Sequence, residues 1–382
     1  MRVLTVFGTR PEAIKMAPIV RLLKETAGVE PRVCVTAQHR GMLDQVLDLF
    51  EIEPEYDLDL MRDNQSLAEI SASIFTSLDP VLADFKPDWV LVVGDTTTVV
   101  TTSLLTYFRR IKLGHVEAGL RTHNKWHPFP EEINRRLATV IADLHFAPTE
   151  WSRANLLREG IDESNILVTG NPVIDALKFA VAQPEPEQIT SLLNKLKLET
   201  SGLETRRPET SRLILVTAHR RENFGQPLDA ICRAIKELAS RGDVEIVYPV
   251  HPNPNVQEPV NRILKDVPHI TLLPPLDYLP LVHLMKHAKL ILTDSGGLQE
   301  EAPSLGVPVL VLREVTERPE GLAAGTLKLV GTDTGLIARE ANRLLDDRAA
   351  YAAMAKAANP YGDGRAGERI IRALLEASAR PL

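Results

Sequence analysis

The chain has 382 residues, 44% of them apolar and 25% charged, with a formal net charge of −7 at pH 7. That length exceeds what one hydrophobic core fills, so two domains are expected. The charge is spread without any block of about five like residues, which argues against a polyanion-binding surface and leaves nucleic acid an unexpected partner.

From the amino terminus, the first apolar stretch, Val3–Phe7, is too short for a signal peptide and lacks a small-residue cleavage site. No run reaches the roughly 18 apolar residues of a membrane helix, so cytoplasmic residence without a membrane partner is expected. Short β-branched runs then alternate with longer helical patterns. Strands are expected at Val3–Phe7, Pro31–Thr36, Trp89–Val93 and Lys112–Val116, and again at Leu213–Thr217, Val244–Val250, Ile270–Leu273, Leu290–Thr293 and Val307–Leu312. This alternation predicts an α/β fold with a doubly wound parallel sheet in each half. Between the halves, Gln183 to Ser211 is rich in Pro, Glu, Thr, Ser and Arg, and Gly367 to Ala379 reads as one amphipathic helix. The expected organisation is a first domain over 1–180, a linker over 181–211, a second domain over 212–362 and a terminal helix over 363–382. Cys34 and Cys232 have apolar neighbours and no second Cys at metal or redox spacing, and read as buried structural thiols.

In doubly wound sheets, ligands bind outside the carboxyl ends of the strands, so the residues just after each strand are the informative ones. The first strand runs into Gly8-Thr9-Arg10-Pro11-Glu12-Ala13-Ile14-Lys15, where Gly permits a tight turn and Arg10 and Lys15 flank a helix start. This suits either a diphosphate site or an ordinary capped strand-to-helix turn. Asp95 and Glu117 close the apolar strands Trp89–Val93 and Lys112–Val116, and Glu131 opens a helix after Pro130; all three can face one crevice. Glu131 with Arg135 also forms an i,i+4 pair that reads equally as helix support. After Leu213–Thr217 come His219, Arg220 and Arg221, able to hold and protonate a phosphate, and the loop Pro249–Asn255 again follows a strand. After Leu290–Thr293, Asp294-Ser295-Gly296-Gly297 leads to a helix with Glu301 about one turn in: a phosphate turn with a ribose acceptor, or a glycine turn with a polar cap. No H-E-x-x-H, G-x-S-x-G or suitably placed G-x-G-x-x-G occurs, which leaves acid–base work on a bound phosphorylated ligand.

The runs Gly8–Glu12, Gly94–Thr98, His115–Arg121, Pro128–Arg135, Thr217–Asn223, Asp294–Glu301, Glu317–Glu320 and Asn359–Gly364 together make the chain resemble the non-hydrolysing UDP-N-acetylglucosamine 2-epimerases over nearly its whole length. The resemblance implies two doubly wound Rossmann-like domains facing a central cleft, the GT-B arrangement, with the last helix crossing back to the first domain. It implies a homodimer that interconverts UDP-N-acetylglucosamine and UDP-N-acetylmannosamine with no cofactor and no metal. Asp95, Glu117 and Glu131 then stand around the reacting sugar, and His219 near the leaving diphosphate. Arg10, Lys15, Ser295, Gly296, Glu301 and Arg318 take UDP, and Arg135, Arg220, Asn253 and Gly297 complete the UDP and sugar contacts. Some relatives bind a second substrate molecule through a loop matching Gln38-His39-Arg40, although Gly41 and Asn64 replace larger or charged residues there. The C2 proton has no neighbouring carbonyl, so inversion requires prior loss of UDP to a glycal. Three clustered carboxylates whose repulsion leaves one protonated would supply the acid and the base. A hydrolysing epimerase, a GT-B transferase and a silent nucleotide-sugar sensor are the rival readings.

Overall fold

A computed structural model of the protein describes residues 1–36, 40–62, 65–196 and 212–379. The chain divides into one unit made of Met1–Lys178 and Tyr361–Leu382, and a second made of Phe179–Pro360. The first unit holds strands β1 (Arg2–Phe7), β2 (Glu30–Val35), β3 (Tyr56–Asp57), β4 (Trp89–Val93), β5 (Lys112–Val116), β6 (Leu144–Ala147) and β7 (Ile166–Val168), in the order β3-β2-β1-β4-β5-β6-β7. Every pairing is parallel. All five residues of β4 are buried, as a parallel strand covered by helices on both faces requires. Leu4, Val6, Val90 and Val92 meet Ile74, Leu78 and Val99 from the flanking helices in one core.

The second unit repeats the plan with β8 (Arg212–Thr217), β9 (Val244–Pro249), β10 (Ile270–Leu273), β11 (Leu290–Thr293), β12 (Val309–Val311) and β13 (Leu327–Leu329), ordered β10-β9-β8-β11-β12-β13 and wholly parallel. Both units are therefore Rossmann-like. In each, the order reverses between two adjacent strands, β1 and β4 in one and β8 and β11 in the other. Such switch points open the crevice in which α/β sheets bind ligands. The runs after β1, β4, β8 and β11 carry Arg10, Lys15, Asp95, His219, Arg220, Ser295 and Glu301, and Glu117 follows β5, the neighbour of β4.

The nine expected strands are present, and β3, β6, β7 and β13 are additional. Three of these four are sheet edges of two or three residues, too short for any periodicity. The fourth, β6, carries a buried His145 that interrupts its apolar run. Within 181–211, where composition suggests a linker, the helix Glu187–Lys195 buries Ile189 and Leu193; 197–211 lie outside the described residues. The last helix, Ala366–Ala379, belongs to the first unit and packs on the helix Arg10–Glu25. Asp175 accepts from the amides of Ala366 and Gly367 at 3.1 and 2.9 Å, and the Trp89 indole donates to Ser378 at 2.9 Å.

Cys34 and Cys232 are buried and free, and burial pushes both thiols up to about 12, so neither is a ready nucleophile. Among the described residues, no helix is long and apolar enough to cross a membrane, and no three His, Cys, Asp or Glu side chains gather to hold a metal ion.

Candidate active site

The first set of site residues lies at the switch point of the first sheet. β1 runs into Gly8, where a Cβ would come within 2.1 Å of Thr36 Oγ1, so only glycine fits. Thr9 caps the helix Arg10–Glu25 in a capping box with Glu12. Glu12 does more than cap. Its Oε2 accepts from the amides of Gly8 and Thr9 at 2.9 and 2.8 Å, and its Oε1 accepts from Thr96 Oγ1 at 2.6 Å. Burial pushes this carboxyl up, and the bonds from Thr96, Gly8 and Thr9 oppose that shift. Glu12 thus ties the turn after β1 to the turn after β4. Arg10 is half-buried at the helix start.

Adjacent strands β4 and β5 deliver Gly94-Asp95 and Glu117. Gly94 has φ +78°, and Glu117 has φ +61°, a left-handed conformation costing a non-glycine residue about 1–2 kcal/mol that the surroundings must enforce. They do so with an ion pair from Lys15 Nζ to Oε1 and Oε2 at 2.5 and 2.6 Å and a bond from Asn171 Nδ2 at 3.0 Å. The Glu117 side chain is only 4% exposed. Below it, His115 Nε2 bonds to Gly94 O at 2.7 Å. Desolvation lowers His115 to about 4, so the ring is neutral, and bonding a carbonyl obliges Nε2 to carry its proton. His145, opposite it on β6, is lowered to about 3 by burial.

Asp95 is held by the helix Glu131–Ile141, which the chain enters through two cis prolyl bonds at Pro128 and Pro130. Arg135 Nε and Nη2 reach Asp95 Oδ2 at 2.8 and 2.7 Å, and Asn134 Nδ2 donates to Asp95 O at 2.8 Å. Arg135 also pairs with the fully buried Glu132 at 3.3 Å. Beyond Glu131, the partner suggested by i,i+4 spacing, the fold thus gives Arg135 ion pairs with Asp95 and Glu132. The helix face carrying Asn134 and Arg135 is the one turned to Asp95. Glu131, its first residue, sits one turn before the side chains that grip Asp95. Sequence alone points to three mutually repelling acids. Here Asp95 and Glu117 each pair with a cation: Arg135, shared with Glu132, and Lys15, the residue expected on the diphosphate.

The second set occupies the switch point of the second sheet. After β8, His219 and Arg220 form a turn whose amides both donate to Asp294 Oδ2 at 2.8 Å, joined by Asn223 Nδ2 at 3.0 Å. After β11, Ser295 begins the helix Gly296–Glu301 without using its hydroxyl as a cap. The Arg318 guanidinium lies over Gly296, where a Cβ would be 3.4 Å from Cζ. Arg318 Nε donates to Glu300 at 2.7 Å and Nη1 to Glu317 at 3.0 Å. Glu301 accepts from the Tyr278 phenol at 2.7 Å, and its other oxygen is 3.5 Å from where a Gly297 Cβ would stand. Glu300 and Glu317 lie within the runs that carry the resemblance but take no role from it, and Tyr278 lies outside those runs; their placement against Arg318 and Glu301 comes from the folded chain. Asn253 Oδ1 caps the helix Pro254–Leu264 by accepting from Asn255 N at 2.9 Å. Gln38, His39 and Asn64 lie outside the described residues.

A family model described as UDP-N-acetylglucosamine 2-epimerase matches residues 21–375. A UDP-N-acetylglucosamine 2-epimerase of Salmonella typhimurium is 57% identical over 375 residues, covering 98% of both chains. Among solved structures, a UDP-GlcNAc 2-epimerase from Neisseria meningitidis bound to UDP-GlcNAc is 50% identical, with a TM-score of 0.88 over 98% of this chain and 100% of that one. One from Methanocaldococcus jannaschii in complex with UDP-GlcNAc and UDP is 34% identical, with a TM-score of 0.80 over 98% and 100%. With acids at one switch point, an Arg-covered glycine turn at the other and this likeness along the whole chain, the protein belongs to the UDP-N-acetylglucosamine 2-epimerase family.

Proposed function

We propose that the protein epimerises UDP-N-acetylglucosamine to UDP-N-acetylmannosamine, reversibly and without hydrolysis, supplying N-acetylmannosamine units for envelope or capsule polysaccharide. The observation that carries this reading is the pair of strand-end carboxylates, Asp95 with Arg135 and Glu117 with Lys15, braced at one switch point. A transferase has no need of several acids around C2.

The anomeric C1–O bond breaks, and its electron pair leaves on the phosphate oxygen of UDP. The oxocarbenium-like centre acidifies C2–H. A base takes that proton, and C1=C2 forms to give 2-acetamidoglucal. The reverse step delivers a proton to the opposite face of C2 while UDP oxygen returns to C1. Positioned acid–base groups contribute about 10²–10⁴-fold each to such transfers. Asp95, Glu117 and Glu131 serve the two faces of C2, with Lys15 and Arg135 balancing charge. His219 and Arg220 serve the departing diphosphate. Arg10, Arg318 and the Ser295-Gly296-Gly297 turn take the phosphates, and Glu301, oriented by Tyr278, takes the ribose hydroxyls.

Incubation with UDP-N-acetylglucosamine in D₂O tests the reading by NMR. Deuterium at C2 with UDP still attached is expected. Free N-acetylmannosamine would favour hydrolysis instead, and a C2–H that never exchanges would overturn the assignment.

The active form is a homodimer. Tyr107 and Phe108, 67% and 64% exposed, and Ile133, Leu137 and Val140, up to 81% exposed, line two helices packed side by side. Contiguous apolar surface of this kind marks an association site, and a second copy covers it. Val140→Glu should shift the protein toward monomer in sedimentation velocity; an unchanged dimer would place the interface elsewhere.

A further inference from the structure

His219 and His251 follow adjacent parallel strands, β8 and β9, and their rings stack with centroids 5.3 Å apart and planes 15° from parallel. The two Nδ1 atoms meet opposite partners. Asn253 N–H donates to His251 Nδ1 at 3.1 Å, so that atom is a lone pair and the neutral ring carries its proton on Nε2. His219 Nδ1 lies 3.7 Å from Asp294 Oδ1, longer than a hydrogen bond but within ion-pair reach.

Asp294 is fully buried. Its Oδ2 takes the three N–H donors that shape the His219 turn. Its Oδ1 has no hydrogen-bond partner among the described residues. A buried carboxylate oxygen without a donor is unfavourable. A proton on His219 Nδ1 relieves it, and catalytic bonds that are long in an unliganded enzyme tighten when the ligand binds.

We infer that Asp294 is the positioning residue for His219: it selects the tautomer with the proton on Nδ1 and turns Nε2 outward as the proton-handling atom, while His251 is held in the opposite tautomer. This deepens, and rests on, the reading that His219 serves the leaving diphosphate. As the C1–O bond breaks, the charged ring gives its Nε2 proton to the phosphate oxygen and is left neutral with Nδ1–H. On re-addition of UDP the proton returns to Nε2. The Asp294 carboxylate stabilises the charged ring in both directions, as a reversible reaction requires.

The test uses the full chain labelled with ¹⁵N-histidine, observed by long-range ¹H–¹⁵N correlation where the rings are neutral. His219→Gln and His251→Gln provide the assignments. His219 is expected as the Nδ1–H tautomer and His251 as Nε2–H. In Asp294→Asn, the side-chain oxygen can still accept the three N–H donors while an amide NH₂ faces His219. His219 is then expected to lose the Nδ1–H tautomer, and kcat on UDP-N-acetylglucosamine to fall about a hundredfold with little change in KM. Nε2–H at His219 in the unmodified protein, or a tautomer unmoved in Asp294→Asn, would overturn the inference. If Asp294→Asn does not fold, the tautomers of the unmodified protein decide alone. Opposite tautomers in a protein inert toward the nucleotide sugar would sink the functional reading and leave only the tautomer assignment by Asp294 standing.

Discussion

Asp95→Asn lowers kcat for UDP-N-acetylglucosamine by about 10²–10⁴-fold, with KM and thermal stability little changed. The contrast follows from how Asp95 is held. An Asn side chain keeps an oxygen where Arg135 now bonds Oδ2, and the bond from Asn134 goes to the Asp95 backbone, which the substitution leaves intact. Arg135 also retains Glu132. The fold loses one charge from a part-buried pair, and the neutral amide left there still accepts from the Arg135 guanidinium. What disappears is a group able to exchange a proton. Steady-state kinetics beside a melting curve checks both halves. Near-normal turnover would remove Asp95 from the acid–base set, whereas collapse of the melting transition would make it a structural residue.

Lys15→Met is expected to act in the opposite proportion. It strips the buried Glu117 carboxylate of its ammonium, and breaking such a pair from one side costs about 3–5 kcal/mol. Glu117 also holds a left-handed backbone conformation that the pair helps to enforce. The double variant Lys15→Met/Glu117→Gln recovers most of that stability, because a neutral amide no longer needs the cation, yet it remains inactive. Chemical denaturation of the two single variants and the double variant closes the cycle. If Lys15→Met were as stable as the unmodified chain, the ion pair would be a minor element of the fold. If the double variant turned over substrate, Glu117 would have no part in proton transfer.

The fold was legible, and the candidate site could be argued, for one reason: in doubly wound sheets, strand ends are binding positions, and strongly apolar runs such as Trp89–Val93 announce those ends. Asp95, Glu117, His219 and Ser295 all follow from that reasoning. The pairings within the site were not legible. Helical spacing offers Glu131 to Arg135, but the folded chain also brings Arg135 to Asp95, 40 residues away, and to Glu132. Lys15 looks like a diphosphate ligand because it lies one turn into a helix that begins at a glycine turn, and nothing local shows that β5 brings Glu117 to it. Asn171 and Tyr278 are separated from their carboxylates by 54 and 23 residues, so only the folded chain reveals them. Glu12 was hidden differently: it sits within the first motif, but its role as a brace depends on Thr96, 84 residues away.

The return of the chain to its first unit sets an order of events during synthesis. Residues 179–360 are contiguous and contain a complete six-stranded sheet, so this unit can close its core as soon as it clears the ribosome. The unit made first cannot. Its helix Arg10–Glu25 and Trp89 await Ala366–Ala379, whose Gly367 sits against Leu22 and whose Ser378 receives the indole N–H. The nascent protein therefore carries an uncovered apolar surface around Ile19 and Leu22 until Ala366–Ala379 has been made, and chaperones that bind such surfaces have their longest opportunity there.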